Sequence, residues 1–189
     1  ILRTMAARGE AIEPGDVIMH NDPYGGASHG PDVAFAVPVF QGDRLIGFSV
    51  TTAHHLDIGA LTPGSCGIVD AVDTYAEGLQ FKAVKVYAAG RRVDPVWHIL
   101  NANIRAPELV VGDMEAQVKA ARIGAERYLE LVGRYGLGTV MAAYEDLMDY
   151  SERLMRDAIR ALPDGDYSAT THIDGYLDDP DPARRDLPV

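Results

Sequence analysis

Two runs of β-forming residues, 33–40 (Val-Ala-Phe-Ala-Val-Pro-Val-Phe) and 44–52 (Arg-Leu-Ile-Gly-Phe-Ser-Val-Thr-Thr), flank the short connection Gln41-Gly42-Asp43. So short a link joins neighbouring strands only as an antiparallel hairpin. The hairpin constrains everything around it. Asp32 leads into its first strand and His54 follows its second, so both are delivered to one end of the pair. Cross-strand neighbours there sit about 5 Å apart. Pro38, which has no N–H to give, marks an edge or a bulge.

The segments at that end hold the metal-ligand chemistry of the chain. One is Asn21-Asp22-Pro23-Tyr24-Gly25-Gly26-Ala27-Ser28-His29-Gly30-Pro31-Asp32, and the other is Ala53-His54-His55-Leu56-Asp57-Ile58-Gly59. Glycine and proline let both turn sharply. His29 and Asp32 are three residues apart, and His54 arrives across the hairpin. Two imidazoles and one carboxylate suit Zn²⁺, Mn²⁺ or Fe²⁺ and leave coordination positions for water or substrate. Asp22, His55 and Asp57 stand beside these three as further ligands, partners that fix an imidazole tautomer, or general bases. The plainer alternative is that His54 and His55 satisfy local hydrogen bonds and Asp22 caps a turn. His20, His98 and His172 lack such company and read as structural or surface residues.

Elsewhere the pattern is coarser. Pro14-Gly15-Asp16 is a turn signal and residues 17–20 a short strand. Residues 3–12 have no clear period, and 56–112 are mixed, with an apolar run at 83–87, a helical turn at 96–100 and a loop at 101–107. From Asp113, a plausible N-cap, the period becomes helical. Met114, Val118, Ala121, Ala125, Tyr128 and Val132 form one stripe; Val140, Tyr144, Leu147, Met148, Leu154, Met155 and Ile159 form a second after Gly136. Such stripes are packing faces far more often than cofactor contacts. Pro163-Asp164-Gly165 ends the helix, and 167–176 alternates like a strand. The expected class is α+β: a mixed sheet with a β-hairpin near the N-terminus and a long antiparallel helical hairpin at 113–162.

The 189 residues suit a single domain with one sizeable core. The net charge of −11, with Lys and Arg scattered, argues against a nucleic-acid groove. No phosphate-cradling Gly-rich loop is present, so nucleotide binding has no support inside the chain. Cys66 is the one cysteine, which excludes an internal disulfide; a nucleophilic role has no firmly placed base to support it. No leader-like opening or bilayer-length apolar stretch is seen, and a cytoplasmic location is expected. Ile1 and the break after Asp178-Asp179-Pro180-Asp181-Pro182 are expected of a partial segment of a longer polypeptide.

Taken together, several blocks resemble the hydantoinase B/5-oxoprolinase family. They are Gly15-Asp16-Val17, Asn21 to Gly26 with His29 and Pro31-Asp32, Ala53 to Gly59 with Pro63-Gly64-Ser65, Glu77-Gly78-Leu79, Asn103 to Pro107, Gly112 to Gln117, and Leu162 to Tyr167. The chain has Gly26-Ala27-Ser28-His29 where relatives commonly show Gly-Gly-Thr-His, and Ser28 keeps the hydroxyl. The resemblance implies the metal-bearing catalytic subunit of an ATP-coupled cyclic amide hydrolase of the hydantoin or 5-oxoproline type. A hydantoinase A-like partner would supply the ATP site. It also implies that His29, Asp32 and His54 match the His-x-x-Asp pair and downstream His that hold the metal in the carboxylase branch. Within that reading Asp57 or His55 would move a proton, and Arg105 would pair with a substrate carboxylate. A component of an ATP-dependent ketone carboxylase of the acetone or acetophenone type is the first alternative. A non-catalytic assembly module, docked through the helices, is the second.

Overall fold

The computed structural model describes residues 1–65, 71, 73–174, 181 and 186–188. Cys66 and Tyr176, the far end of the strand expected at 167–176, lie outside them. The chain divides into two compact units, Ile1–Gly136 and Leu137–Val189.

The first unit is built on a five-stranded sheet in the order β3-β2-β1-β4-β5. Its strands are β1 (Val17–His20), β2 (Asp32–Gln41), β3 (Arg44–His54), β4 (Val84–Ala88) and β5 (Arg91–Arg92). Each described pair in it is antiparallel, where a mixed sheet was expected. The reason is connectivity: β2–β3 and β4–β5 are tight hairpins, and β1 enters between β2 and β4 running against both. The β2–β3 hairpin extends further than the β-forming runs alone indicate, with Asp32 opposite His54 as its last rung. Pro38 is tolerated inside β2 because β1 pairs only with residues 34–36, leaving that side of Pro38 without a ladder partner.

Period-two alternation gives the sheet two different faces. Val17, Met19, Val33, Phe35, Val37 and Val39 point to one side and pack on helices α2 (Asp94–Asn103) and α3 (Pro107–Tyr135). Trp97 and Leu100 of α2 and Met114, Val118 and Ala121 of α3 complete that core, so the stripe of the first long helix is buried as its spacing predicts. The helix begins earlier than expected, however. Pro107 takes the first helical position, where its missing N–H costs nothing, and Asp113 lies inside the helix. Residues 101–103, expected as loop, are the end of α2. On the far side of the sheet, Ile18 and Phe48 pack with Met5 of the short helix α1 (Leu2–Ala7).

The second unit holds helix α4 (Leu137–Arg160) and an antiparallel pair, β6 (His172–Asp174) with β7 (Asp186–Pro188). Gly136, at φ 80°, separates α3 from α4. Within α4 only Val140 is buried, and Leu147, Met148, Leu154, Met155 and Ile159 are exposed. Their spacing identifies a face that an amphipathic helix presents for burial; it does not supply the surface that covers it.

Candidate metal centre

The loop between β1 and β2 is pinned at its base by Asn21, a fully buried amide. Its Nδ2 donates to the carbonyls of Gly30 (2.6 Å) and Leu79 (2.9 Å), and its Oδ1 accepts the Phe81 N–H (2.6 Å). Asn21 thus closes the loop on itself and ties it to residues 79–81. Inside the loop Asp22 accepts the Tyr24 N–H at 3.2 Å and caps a short 3-10 turn, the local role its position between Asn and Pro allows. Next to it His20 is buried, with its Nδ1 accepting the Ala83 N–H at 3.2 Å. Burial pushes the His20 imidazole below the ordinary histidine range, more than Gly25 and the Asp22 carboxylate hold it up.

His29, Asp32 and His54 converge at the loop's exit. Asp32 Oδ1 lies 3.2 Å from His54 Nδ1 and 3.3 Å from His29 Nε2, and the two ring nitrogens are 3.1 Å apart. The rings stack with centroids 4.9 Å apart. Two ligands bonded about 2.1 Å from one ion and about 100° apart would be separated by about 3.2 Å. The three atoms therefore form the small triangle that a shared divalent ion requires, and their chemistry is a two-histidine, one-carboxylate set. Among the described residues this is the one group of three or more such side chains close enough to share an ion. Asp32 and His54 occupy facing ends of β2 and β3, while His29 leans back from the loop.

Glu77 braces the arrangement from a distant segment. Its Oε2 accepts the Gly30 N–H at 2.6 Å, and its Oε1 lies 3.7 Å from His29 Nδ1, the ring nitrogen on the side away from Asp32. Gly78, at φ 108°, makes the approach possible: a Cβ there would meet the Ile58 carbonyl oxygen at 2.5 Å. The backbone bonds Leu79 N–H to Ile58 O and Leu61 N–H to Ala76 O hold this segment against residues 58–61. A carboxylate beside the outer nitrogen of a ligand histidine is the usual way its tautomer and orientation are set.

His55 follows His54 in the chain but takes the opposite direction. Its ring turns toward α3, where Nε2 pairs with Gln117 Oε1 at 2.6 Å; Gln117 Nε2 donates to the Val33 carbonyl at 3.2 Å. Burial pushes the His55 imidazole below its usual range, against the raising effect of Gln117. Asp57, 2% exposed, is a hub. It accepts the N–H groups of Gly59 (2.8 Å) and Arg105 (3.1 Å) and the Arg105 Nη1 at 2.7 Å. The same Nη1 donates to the Ala60 carbonyl at 3.0 Å. Burial alone would push the Asp57 carboxyl up, but the Arg105 hydrogen bond, the two backbone N–H groups and the guanidinium charge hold it below the usual carboxylate value. Asp57 and Arg105 thus face each other and fasten residues 57–60 to the junction of α2 and α3.

Of the side chains singled out from sequence, the fold joins His29, Asp32 and His54 in one cluster and Asp57 with Arg105 in another, and turns His55 to the helical side. Sequence reasoning gave no role to Asn21, Glu77 or Gln117. Glu77 and Gln117 stand in blocks that carry the family resemblance, but nothing local says what they touch.

The chain matches known proteins over most of its length. The family model for Hydantoinase B/oxoprolinase matches residues 1–185. A protein of Pseudomonas sp. (strain NS671), provisionally named as the B-type component of a D-/L-hydantoinase, is 67% identical over all of this chain and 32% of its own length. The beta chain of the Pseudomonas jessenii caprolactamase is 39% identical over 88% of this chain and 28% of that protein. The delta chain of the Aromatoleum aromaticum acetophenone carboxylase is 28% identical over 88% of this chain and 24% of that protein. The crystal structure of the ATP-dependent caprolactamase from Pseudomonas jessenii superposes with a TM-score of 0.81 at 37% identity, covering 92% of this chain and 30% of that one. This chain spans about a third or less of the length of these relatives. With the family match running from the first helix through the His29–Asp32–His54 cluster to the second unit, the chain belongs to the hydantoinase B/oxoprolinase family.

Proposed function

We propose that this chain is the metal-bearing part of an ATP-coupled cyclic amide hydrolase, with His29, Asp32 and His54 as the ligands of a divalent Zn, Mn or Fe ion. The observation that carries the reading is the triangle of ligand atoms, 3.1–3.3 Å on a side, at the open end of the β2–β3 hairpin. A bound ion would act as a Lewis acid on a carbonyl or phosphoryl oxygen of the substrate. The chain's own residues supply the frame. Glu77 orients His29, and His55 with Gln117 fixes the end of β3 against α3. The Asp57–Arg105 pair holds residues 57–60 in place. Asp57 and His55 are 2% and 1% exposed, so in this reading both position the site and neither meets substrate directly. ATP would be bound by a hydantoinase A-like partner, the division of labour that the family resemblance implies.

Hydrolysis is preferred over ketone carboxylation because the relatives at 67% and 39% identity carry hydantoinase and caprolactamase names, whereas the carboxylase relative stands at 28%. Metal analysis of the purified protein tests the core of the proposal. One tightly held divalent ion per chain is expected in the wild type and a large loss in His29→Ala and His54→Ala. Equal metal content in all three would remove the metal centre. Ring-opened product from a cyclic amide, against bicarbonate consumption with a ketone, separates the two chemistries.

A further inference from the structure

The far face of the sheet, away from α2 and α3, is only partly covered. A cavity of about 920 Å³ lies on it, within or near the range of small-molecule sites. Asp32, at the start of β2, lines this cavity together with Ser28 and Thr52, and Ala34, Phe48 and Val50 carry the wall along β2 and β3. Alternation places these residues on the same face as His54, and the register pairs Asp32 with His54, Ala34 with Thr52 and Ala36 with Val50. At about 3.3 Å per residue, Thr52 lies about 7 Å and Val50 about 13 Å along the strand from His54. Along β3 the wall thus passes from Thr52 to Val50 and Phe48, while Arg3, Thr4, His20 and Asp22 add polar groups elsewhere in the lining. Val50 is 54% exposed, and Ala34 opens a step in the wall one rung from Asp32.

We propose that this face seats the apolar portion of the substrate, with its reacting carbonyl at the Asp32 end. Ala34 sets the width near the reacting group, and Val50 contacts longer substituents. The inference uses the cyclic-amide reading for its choice of probe. Its own content is the orientation of the bound molecule and the residues that select it.

The test compares hydantoin with 5-(2-phenylethyl)hydantoin, binding each by titration calorimetry to the full-length assembled enzyme without ATP. Ala34→Leu narrows the first rung, and Val50→Asp places a charge on the exposed second one. Each is expected to lower the affinity ratio, substituted over unsubstituted, by about tenfold or more, since pocket contacts of one methylene already discriminate about 10-fold to 200-fold. Should Ala34→Leu fail to fold, the exposed position 50 decides alone. An unchanged ratio overturns the assignment. A shifted ratio in an enzyme that hydrolyses no hydantoin would instead sink the hydrolase reading and leave the binding face standing.

Discussion

Glu77 shows how a single carboxylate, 48 residues away in the chain, can orient the His29 ring. It holds the Gly30 N–H at 2.6 Å and stands 3.7 Å from the outer nitrogen of His29, so it shapes both the loop and the ring. Removing such a partner typically weakens metal affinity by about 10-fold to 100-fold. Glu77→Ala is accordingly expected to raise the metal dissociation constant at least about tenfold in a chelator competition. Glu77→Gln should lose less, because its amide oxygen still accepts from Gly30. Identical affinities for Glu77→Ala and wild type would show that His29 orients itself. Asp57 uses its lone pairs differently, spending them on Gly59, Arg105 and the 57–60 turn, which is why a carboxylate so near the ligand sequence stands apart from the ligand cluster.

At the scale of elements, the hairpin and α3 act as one body. Met114, Val118 and Ala121 bury against β2 and β3, while Gln117 reaches the Val33 carbonyl and the His55 ring from the same helix face. Thr51 adds a bond from β3 to the Gln117 carbonyl at 3.2 Å. Gln117→Ala would leave a buried imidazole N–H and a buried carbonyl without their partner, at a cost of about 1–3 kcal/mol. A lower urea midpoint with an unchanged m-value is the expected result, and Gln117→Glu should restore part of the loss by keeping an acceptor for His55. Stability equal to wild type in Gln117→Ala would mean that the apolar contacts of α3 suffice to set the strand end.

For the molecule as a whole, stability follows pH through groups that the fold keeps from titrating normally. His20 is depressed by burial, so the unfolded chain takes up a proton near pH 6.5 that the native ring resists. Its contribution is complete above about pH 6.5 and is lost as pH falls toward the native value. Asp57, also depressed, contributes fully above about pH 4 and loses that as pH falls through its lower native value. Denaturation midpoints should therefore decline in two stages on acidification, and His20→Gln should shrink the upper one; a midpoint that stays level between pH 7 and 5 would contradict this. Much of the architecture was legible beforehand, because hairpins and amphipathic helices are written in local periods of two and 3.6 residues. The approach of Asp32 to His54 was legible for the same reason: a tight hairpin forces its flanks together. What the linear chain determined was thus a list of elements and of side chains able to bind a metal. Only the tertiary structure brought His29 back to the Asp32–His54 pair and turned the neighbouring His55 to Gln117, since alternation acquires an inside and an outside only when helices cover one side of the sheet. Asn21, Glu77 and Gln117 gained their roles at the same moment, because contacts between residues 47 to 84 positions apart have no local period to announce them.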